Sequence, residues 1–163
     1  MNHKEYFNEI SSSWNNNSLD SEKLKPLLNK LHFEKNESIM DGGTGTGNLI
    51  PFLSKITDGN SKIYAIDFAI NMTKKAIERF DKINNVIFIT ADIHNLPFKN
   101  DFFSTIIFFS IFPHLKYKQK ALSEVKRVLK PGGKFIISHL MLSLIHISEP
   151  TRPLYISYAV FCL

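Results

Sequence analysis

The feature of this 163-residue chain that most limits its fold is an apolar run followed by four closely spaced glycines. This stretch covers residues 39–49, IMDGGTGTGNL. The apolar run ends at Asp41, and the glycines are Gly42, Gly43, Gly45 and Gly47. Because glycine has no Cβ atom, it can adopt positive φ and let a ligand approach the backbone closely. A glycine cluster between a strand and a helix is expected to leave amide N–H groups facing outward. The stretch therefore predicts a strand, a nucleotide-binding loop and a helix in succession.

The spacing of these glycines separates two kinds of loop. The dinucleotide fingerprint GxGxxG would require a third glycine at position 48, where the chain has Asn48. The pattern DxGxGxG, which begins at Asp41, fits the sequence better. A purely structural turn between strand and helix would also use some of these glycines, so that alternative stays open on this motif alone.

Short apolar runs alternate with segments of helical periodicity along most of the chain. The runs cover residues 38–40, 63–66, 86–89, 105–109 and 135–137. Between them, apolar residues recur at helical spacing in three stripes, which are Leu49, Phe52, Leu53 and Ile56, then Met72, Ala76, Ile77 and Phe80, then Leu122, Val125, Val128 and Leu129. Pro131, Gly132 and Gly133 are expected to end the last helix and lead into the final clear strand. This alternation is typical of a parallel sheet with helices on both faces.

Four segments, in order, resemble the class I S-adenosylmethionine-dependent methyltransferases. The DxGxGxG pattern at residues 41–47 resembles the first motif of that family, whose loop holds the methionine end of the cofactor. KIYAID ends on Asp67, where an acid can accept hydrogen bonds from both ribose hydroxyls. FITADIHNLPF resembles the adenine segment, with Asp92 as acceptor for the amino group and Ile93 against the ring. ALSEVKRVLKPGGKFIIS resembles the fourth helix, the following turn and the fifth strand, so the resemblance covers residues 33–141.

This resemblance implies a fold, a cofactor and a set of site residues. The fold is α/β, a Rossmann-like doubly wound sheet with strand order 3-2-1-4-5, and the cofactor is S-adenosyl-L-methionine. The implied cofactor-binding residues are Asp41, Gly42, Gly43, Gly45, Gly47, Asp67, Phe68, Met72, Asp92, Ile93, Phe109 and Ser110. No metal site is expected.

The end of the fourth predicted strand, residues 108–115, is expected to open over the transferable methyl group. Ligands of doubly wound sheets bind at the carboxyl ends of the strands. His114 is a candidate general base there, since imidazole titrates near neutral pH. A local hydrogen bond or a cap on the next helix is the alternative role for His114. Phe109 and Phe112 are candidates to face the sulfonium, with core packing as the alternative for at least one of them.

The chain divides into three predicted regions. Residues 1–32 are expected to form helices that cover the cofactor, with simple packing as the alternative reading of their shared apolar face, formed by Tyr6, Phe7, Ile10 and Trp14. Residues 33–141 are the cofactor-binding core. Residues 142–163 are predicted to be a non-native tail, because they resemble translated sequencing-adapter sequence. They show neither the final helix nor the antiparallel strand pair of similar proteins, which predicts an open edge on the fifth strand.

Composition and charge agree with one cytoplasmic domain. The hydrophobic content is 44% and the lone Cys162 excludes an internal disulfide framework. The polar N-terminus lacks a secretory signal, and no apolar run reaches the roughly eighteen residues of a membrane span. The net charge of +5 is concentrated between residues 114 and 134. A nucleic-acid footprint there is disfavoured against a solvated helix face, because lysine outnumbers arginine. No pattern indicates an oligomeric state.

Together these observations predict a methyltransferase that acts on a small-molecule acceptor. Methyl transfer from a sulfonium is an in-line displacement with a neutral leaving group, so it needs positioning more than a strong acid. One alternative is a nicotinamide-dependent oxidoreductase, against which Asn48 and the lack of a Tyr/Lys pair at helical spacing argue. The other is a non-catalytic or non-functional cofactor-binding fragment.

Overall fold

The computed structural model describes residues 3–11, 33–141 and 155–162 of the chain. Its helices are α1 (His3–Ile10), α2 (Ile50–Ile56), α3 (Ile70–Phe80) and α4 (Lys118–Val128), with a short 3₁₀ helix at Phe112–His114. Its strands are β1 (Ser38–Gly42), β2 (Lys62–Asp67), β3 (Val86–Thr90), β4 (Phe103–Phe109), β5 (Leu129–Met141) and β6 (Tyr155–Cys162). Strands and helices alternate from β1 to β5 as the periodicity predicts, except that β3 connects to β4 without a helix.

The six strands form one sheet in the order β3-β2-β1-β4-β5-β6. Strands β1 to β5 pair in parallel. The predicted Rossmann-like arrangement with strand order 3-2-1-4-5 is therefore confirmed. The direction of winding reverses between β1 and β4, and this switch point is where ligands bind in doubly wound sheets.

Two hydrophobic layers, one on each face of the sheet, form the core. One layer includes Met40, Ile66, Ile106, Phe108, Val125 and Phe135. The other contains Ile39, Leu49, Leu53, Ile63, Ile107 and Ile136. Neighbouring strand residues belong to opposite layers because successive side chains of a strand point to opposite faces. Burial on both faces explains why the central strands read as continuous apolar runs.

Seven of the twelve positions in the predicted helix stripes are buried and three are half-buried, but two are exposed. The buried ones include Leu49, Leu53, Met72, Ala76, Val125 and Val128. Ile77 is 41% exposed and Leu122 is 37% exposed, so the prediction that they face the sheet is wrong. Thr73 is buried in α3 and Ala121 in α4. Helices α3 and α4 are therefore rotated slightly from the stripe that their largest apolar residues define.

The Pro-Gly-Gly triplet at residues 131–133 lies within β5 and not between a helix and a strand. Helix α4 ends at Val128, and β5 begins with the next residue, Leu129. The pairing of β5 with β4 is irregular at this point, and Gly132 has φ of 73°. An irregularity of this kind bends a strand locally. The predicted turn is thus a bulge at the start of β5.

Strand β6 corrects one part of the prediction for residues 142–163. Tyr155–Cys162 pairs antiparallel with β5, from the pair Lys134 and Cys162 to the pair Met141 and Tyr155. The expectation that this edge of β5 is open is therefore wrong. The segment YISYAVFC is rich in aromatic and β-branched residues, which favour strands, and the edge of β5 offers unpaired backbone groups. Residues 142–154 lie outside the described part of the chain.

Helix α1 is the described part of the N-terminal region. Trp14 and the helix predicted near residues 21–31 lie outside the described residues. On α1, Tyr6 is 47% exposed, whereas Phe7 is half-buried. Within the parts of the chain that the structure covers, none of the helices combines the length and the hydrophobicity that a membrane span needs.

Candidate cofactor site

The carboxyl ends of β1, β2 and β3 bring three predicted site acids to one edge of the sheet. Asp41 lies near the end of β1, which pairs with β2, and Asp67 is the last residue of β2. Asp67 in turn lies opposite Thr90 of β3, and Asp92 follows two residues later. The glycine loop connects β1 to α2 at the same edge. These residues therefore surround the position next to the switch point of the sheet.

Close packing and positive φ explain the glycines of this loop. Gly43, Gly45 and Gly47 have φ of 72°, 57° and 84°. A Cβ atom on Gly42 would lie 2.5 Å from the ring of Phe108. A Cβ atom on Gly47 would lie 2.9 Å from both Ile50 Cδ1 and Phe80 Cδ2. The loop is thus held tightly between the sheet, α2 and α3.

Four amide groups of the loop donate hydrogen bonds within the protein. The pairs are Gly43 N and Thr44 N to Ile66 O at 2.8 and 2.9 Å, Gly45 N to Asp67 Oδ2 at 2.9 Å, and Gly47 N to Thr44 O at 2.9 Å. The expectation that the glycine cluster leaves its amides facing outward is wrong for these four. For the amides of residues 43, 44 and 45 the cause is the pairing of β1 with β2, which places the last residues of β2 beside the loop. The amide of Gly47 instead bonds within the loop.

Asp41 is a buried carboxyl group, 1% exposed. Its Oδ2 accepts a hydrogen bond from Thr44 Oγ1 at 2.7 Å. Desolvation by burial raises the pKa of Asp41 to about 7, against the effect of the Thr44 hydrogen bond and with a contribution from the charge of Asp67. This carboxyl group therefore titrates near neutral pH in the folded chain.

Asp67 connects the glycine loop to the start of α3. Its Oδ2 accepts from Gly45 N and its Oδ1 accepts from Ala69 N, both at 2.9 Å. The residue is 7% exposed. Burial raises the pKa of Asp67, while hydrogen bonds from backbone amides at 69, 45 and 68 oppose the rise. An ionised carboxylate has about four lone-pair sites, so acceptor capacity remains for a further donor.

Asp92 differs from the other two acids because its side chain is 60% exposed. Its Oδ1 accepts hydrogen bonds from His94 N at 2.9 Å and from His94 Nδ1 at 2.6 Å. Partial burial raises the pKa of Asp92, but the hydrogen bonds from His94 and the charge of Lys120 outweigh it, and the pKa is lowered. Ile93 between them is 7% exposed and belongs to the core layer under α4.

The structure places the four remaining predicted cofactor contacts in different environments. Phe68 is half-buried, while Met72 is only 2% exposed on the inner face of α3. Phe109 is half-buried and packs against the core layer under α2. Ser110 follows β4 with φ of 57°, and its N–H donates to Ser138 O at 2.7 Å. Phe68 and Ser110 therefore lie in the loops at the carboxyl edge, whereas Met72 faces the interior.

His114 and α1 lie above this edge. The exposed His114 ends the 3₁₀ helix that follows β4. The ring of Phe7 on α1 contacts both Phe68 and His114 edge to face, at centroid distances of 5.9 and 6.1 Å. Asn8 fixes α1 to α3, because its Oδ1 accepts from Asn71 N at 3.0 Å. Helix α1 thus spans from α3 to the predicted acceptor side.

Three residues that make contacts in this region were not predicted from the sequence. Arg79 on α3 donates to Thr46 O at 2.7 Å, to Thr46 Oγ1 at 2.9 Å and to Asn48 Oδ1 at 3.0 Å. Thr44 bonds Asp41 and His94 bonds Asp92, as described above. The short spacing of Thr44 and His94 from their partner acids was a usable signal. Nothing in the sequence indicates the contact of Arg79, which depends on how α3 packs.

The methyltransferase domain family matches residues 40–137, which is more than half of the chain. The chain belongs to this family. Its class is that of the S-adenosylmethionine-dependent methyltransferases, and S-adenosyl-L-methionine is the cofactor of that class.

Curated proteins with similar sequences include methyltransferases whose names refer to ubiquinone or menaquinone. The ubiquinone/menaquinone biosynthesis C-methyltransferase UbiE of Wigglesworthia glossinidia brevipalpis is 32% identical over 130 residues, 78% of this chain and 51% of that protein. The demethylmenaquinone methyltransferase of Staphylococcus haemolyticus is 28% identical over 155 residues, 91% of this chain and 62% of that protein. The chain therefore spans about half to three fifths of the length of these two relatives.

A solved structure has the same fold. The S-adenosylmethionine-dependent methyltransferase of Aquifex aeolicus superposes with a TM-score of 0.71 over 94% of this chain and 79% of that one. The sequence identity is 23%. The superposition supports the fold of the methyltransferase domain described above.

Proposed function

We propose that this methyltransferase domain binds S-adenosyl-L-methionine and transfers its methyl group to a small-molecule acceptor. The observation that carries the proposal is the hydrogen bond from Gly45 N–H to Asp67 Oδ2 at 2.9 Å. It joins the glycine loop and the candidate ribose acid into one unit beside the switch point of the sheet. Ligands of doubly wound sheets bind at this position.

The loop and its acids favour S-adenosylmethionine over a nicotinamide dinucleotide. A pyrophosphate is bound by free amide groups of a glycine loop, whereas the amides of residues 43, 44, 45 and 47 already donate within the protein. In the described structure neither Asp41 nor Asp67 has an ion-pair partner. Two buried acids favour a cation and disfavour a phosphate. S-adenosylmethionine carries an ammonium and a sulfonium and has no phosphate.

Each predicted site residue has a proposed role. Asp41 and the loop glycines at 42, 43, 45 and 47 seat the methionine end of the cofactor. Asp67 accepts hydrogen bonds from the ribose hydroxyls with the acceptor capacity that its bonds to backbone amides leave open. Asp92 accepts from the adenine amino group and Ile93 packs against the ring. The proposed further contacts are Phe68, Met72, Phe109 and Ser110.

The proposed mechanism relies on position and proton removal. The cofactor, when bound, supplies a methyl group on a cationic sulfur, and the chain holds the acceptor in line with it. His114, exposed at the end of the 3₁₀ helix that follows β4, is the proposed acceptor of the proton that leaves when methyl replaces hydrogen. A neutral imidazole can take up that proton near neutral pH. A purely local role for His114 is the alternative.

For the acceptor we propose an aromatic quinone precursor, since the two curated relatives are named for quinone biosynthesis. An aromatic cluster of Phe7, Phe68 and His114 lies at the expected acceptor side and suits a flat ring. In this proposal residues 1–32 cover the cofactor and residues 33–141 form the binding core. Residues 142–163 remain a proposed non-native tail.

The proposal predicts that Asp67→Ala abolishes cofactor binding, because it removes the ribose acceptor and the contact that holds Gly45. Calorimetric titration with S-adenosylmethionine, S-adenosylhomocysteine and NADH would measure this. We expect micromolar-scale affinity for the first two ligands in the parent chain and at least about a hundredfold loss in the variant. Asp81→Ala, at an exposed residue beyond α3, is the control. Unchanged affinity in Asp67→Ala, or tight binding of NADH alone, would contradict the proposal.

A non-catalytic binding module would bind the same cofactor without turnover. Incubation with radiolabelled S-adenosylmethionine and hydroxylated aromatic acceptors, including demethylated quinone precursors, distinguishes the two. Transfer of label to an acceptor, lost in Asp67→Ala, supports the enzyme. Binding without transfer to any acceptor would favour the module.

A further inference from the structure

Asp92 is held by one of its two carboxylate oxygens. Oδ1 accepts both the backbone N–H of His94 and its ring nitrogen Nδ1, at 2.9 and 2.6 Å. Oδ2 accepts no hydrogen bond from the residues that the structure describes. The carboxylate therefore has a fixed oxygen turned toward His94 and a free oxygen at the edge where the adenine is proposed to bind. A side chain that is 60% exposed would otherwise rotate freely.

The hydrogen bond of His94 to Asp92 leaves the other ring nitrogen of His94 without a partner in the described part of the chain. An ionised carboxylate only accepts hydrogen bonds, so the Nδ1 of His94 is the donor in this pair. In the neutral ring Nε2 is then an acceptor, and this atom is buried without a hydrogen-bond partner among the described residues. Burying an unpaired polar atom is unfavourable. An apolar ring would satisfy the packing at this position better than histidine does.

The surroundings of His94 keep its ring in place. The ring lies edge to face with Tyr117, at a centroid distance of 5.9 Å. Its side chain is 16% exposed, and the adjacent Ile93 is buried in the core. Histidine here thus behaves as a rigid support whose polar edge points at Asp92.

We infer that His94 is a positioning residue that orients the carboxylate of Asp92 to recognise the amino group of the cofactor's adenine. The inference rests on the proposed cofactor. A fixed acceptor avoids the loss of side-chain freedom on binding, which otherwise weakens a hydrogen bond to a ligand. An oriented carboxylate accepts from an amino group and repels a carbonyl oxygen at the same place. His94 therefore contributes to base selectivity and not only to affinity.

The test compares S-adenosylhomocysteine with S-inosylhomocysteine, in which a carbonyl replaces the adenine amino group. Both affinities are measured by calorimetry for the parent chain and for His94→Phe, His94→Gln and His94→Asn. The phenyl ring keeps the contact with Tyr117 and removes the buried nitrogen, but cannot bond Asp92. The Asn amide places a donor near the position of Nδ1, whereas the longer Gln displaces it.

We expect His94→Phe and His94→Gln to lower the preference for S-adenosylhomocysteine roughly two- to tenfold, with little change for the inosyl analogue. We expect His94→Asn to retain the preference, and the melting temperature of His94→Phe not to fall. An unchanged preference in both His94→Phe and His94→Gln, or an equal loss for both ligands, would overturn the inference. If the parent chain binds neither ligand, the proposed function fails first and this inference with it.

Discussion

At the scale of single residues, two glycines with positive φ allow the energetic cost of backbone strain to be distinguished from the cost of steric crowding. Gly47 and Gly59 have φ of 84° and 69°. A Cβ on Gly47 would lie 2.9 Å from Ile50 and Phe80, whereas one on Gly59 would meet nothing within 4 Å. We expect Gly59→Ala to lower the free energy of unfolding by about 1–2 kcal/mol through strain alone. Gly47→Ala should lower the free energy of unfolding by about 1–3 kcal/mol more than Gly59→Ala does, because the added methyl group overpacks the site.

Urea unfolding of the two variants at one pH would measure this difference. The pair is matched, because both substitutions add one methyl group at a positive φ. Equal losses of stability would mean that the contact of the loop with α3 relaxes freely. The loop would then be less tightly held than its distances indicate.

Asp41 makes stability depend on pH. Its pKa is raised by burial from 3.8 to about 7, so between these values the folded chain binds a proton that the unfolded chain has released. Stability should therefore fall as pH rises from about 4 to 7, by at most about 1.4 kcal/mol per pH unit, and then level off. Asp41→Asn keeps an acceptor for Thr44 and should make this slope shallower, although the raised pKa of Asp67 leaves a slope of the same sign. Urea titrations of both chains at pH 5, 6 and 8 would show it, and identical slopes would contradict it.

At the scale of elements, α3 connects α1 to the candidate cofactor site. Asp67 accepts from the amide of Ala69 just before α3, and Arg79 on α3 bonds the glycine loop. Asn8 of α1 accepts from Asn71 in the first turn of α3, as an N-cap residue would. Movement of α1 would therefore act on the same helix that positions the loop.

The attachment of α1 through Asn8 can be tested directly. Asn8→Ala removes the side-chain acceptor for Asn71 and should cost about 0.5–1 kcal/mol. We expect faster amide exchange across α1 with no change in β1–β4, as measured by hydrogen–deuterium exchange. Asn84→Ala, at an exposed turn residue, is the control. If exchange in α1 stays the same, other contacts hold this helix.

At the scale of the whole molecule, β6 covers the edge of β5 over eight paired residues. We expect a chain that ends at Met141 to have a lower melting temperature and more light scattering, because β5 then presents unpaired backbone groups. Its affinity for S-adenosylhomocysteine should persist, since the candidate site lies at β1–β4. An unchanged melting temperature would mean that β6 adds no stability, in agreement with a non-native tail.

The succession of strands and helices could be predicted from the sequence because it depends on local patterns, whereas the strand order followed from the resemblance to the methyltransferase family. Apolar runs, helical stripes and the DxGxGxG spacing each report one segment and its neighbours. The exposure of Ile77 and Leu122 could not be read in this way. A stripe shows which face of a helix is apolar, but the contact with the sheet decides its final rotation.

What the sequence by itself determined was the succession of elements, the doubly wound sheet and the acids at its carboxyl edge. Only the tertiary structure decided which groups these residues contact. Gly45 donates to an acid 22 residues away and Arg79 binds a residue 33 positions away. Such contacts depend on the packing of two elements, and no periodicity within one element encodes them. The hydrogen bond of Gly45 to Asp67, the contact of Arg79 with the loop and the pairing of β6 with β5 are therefore properties of the folded chain.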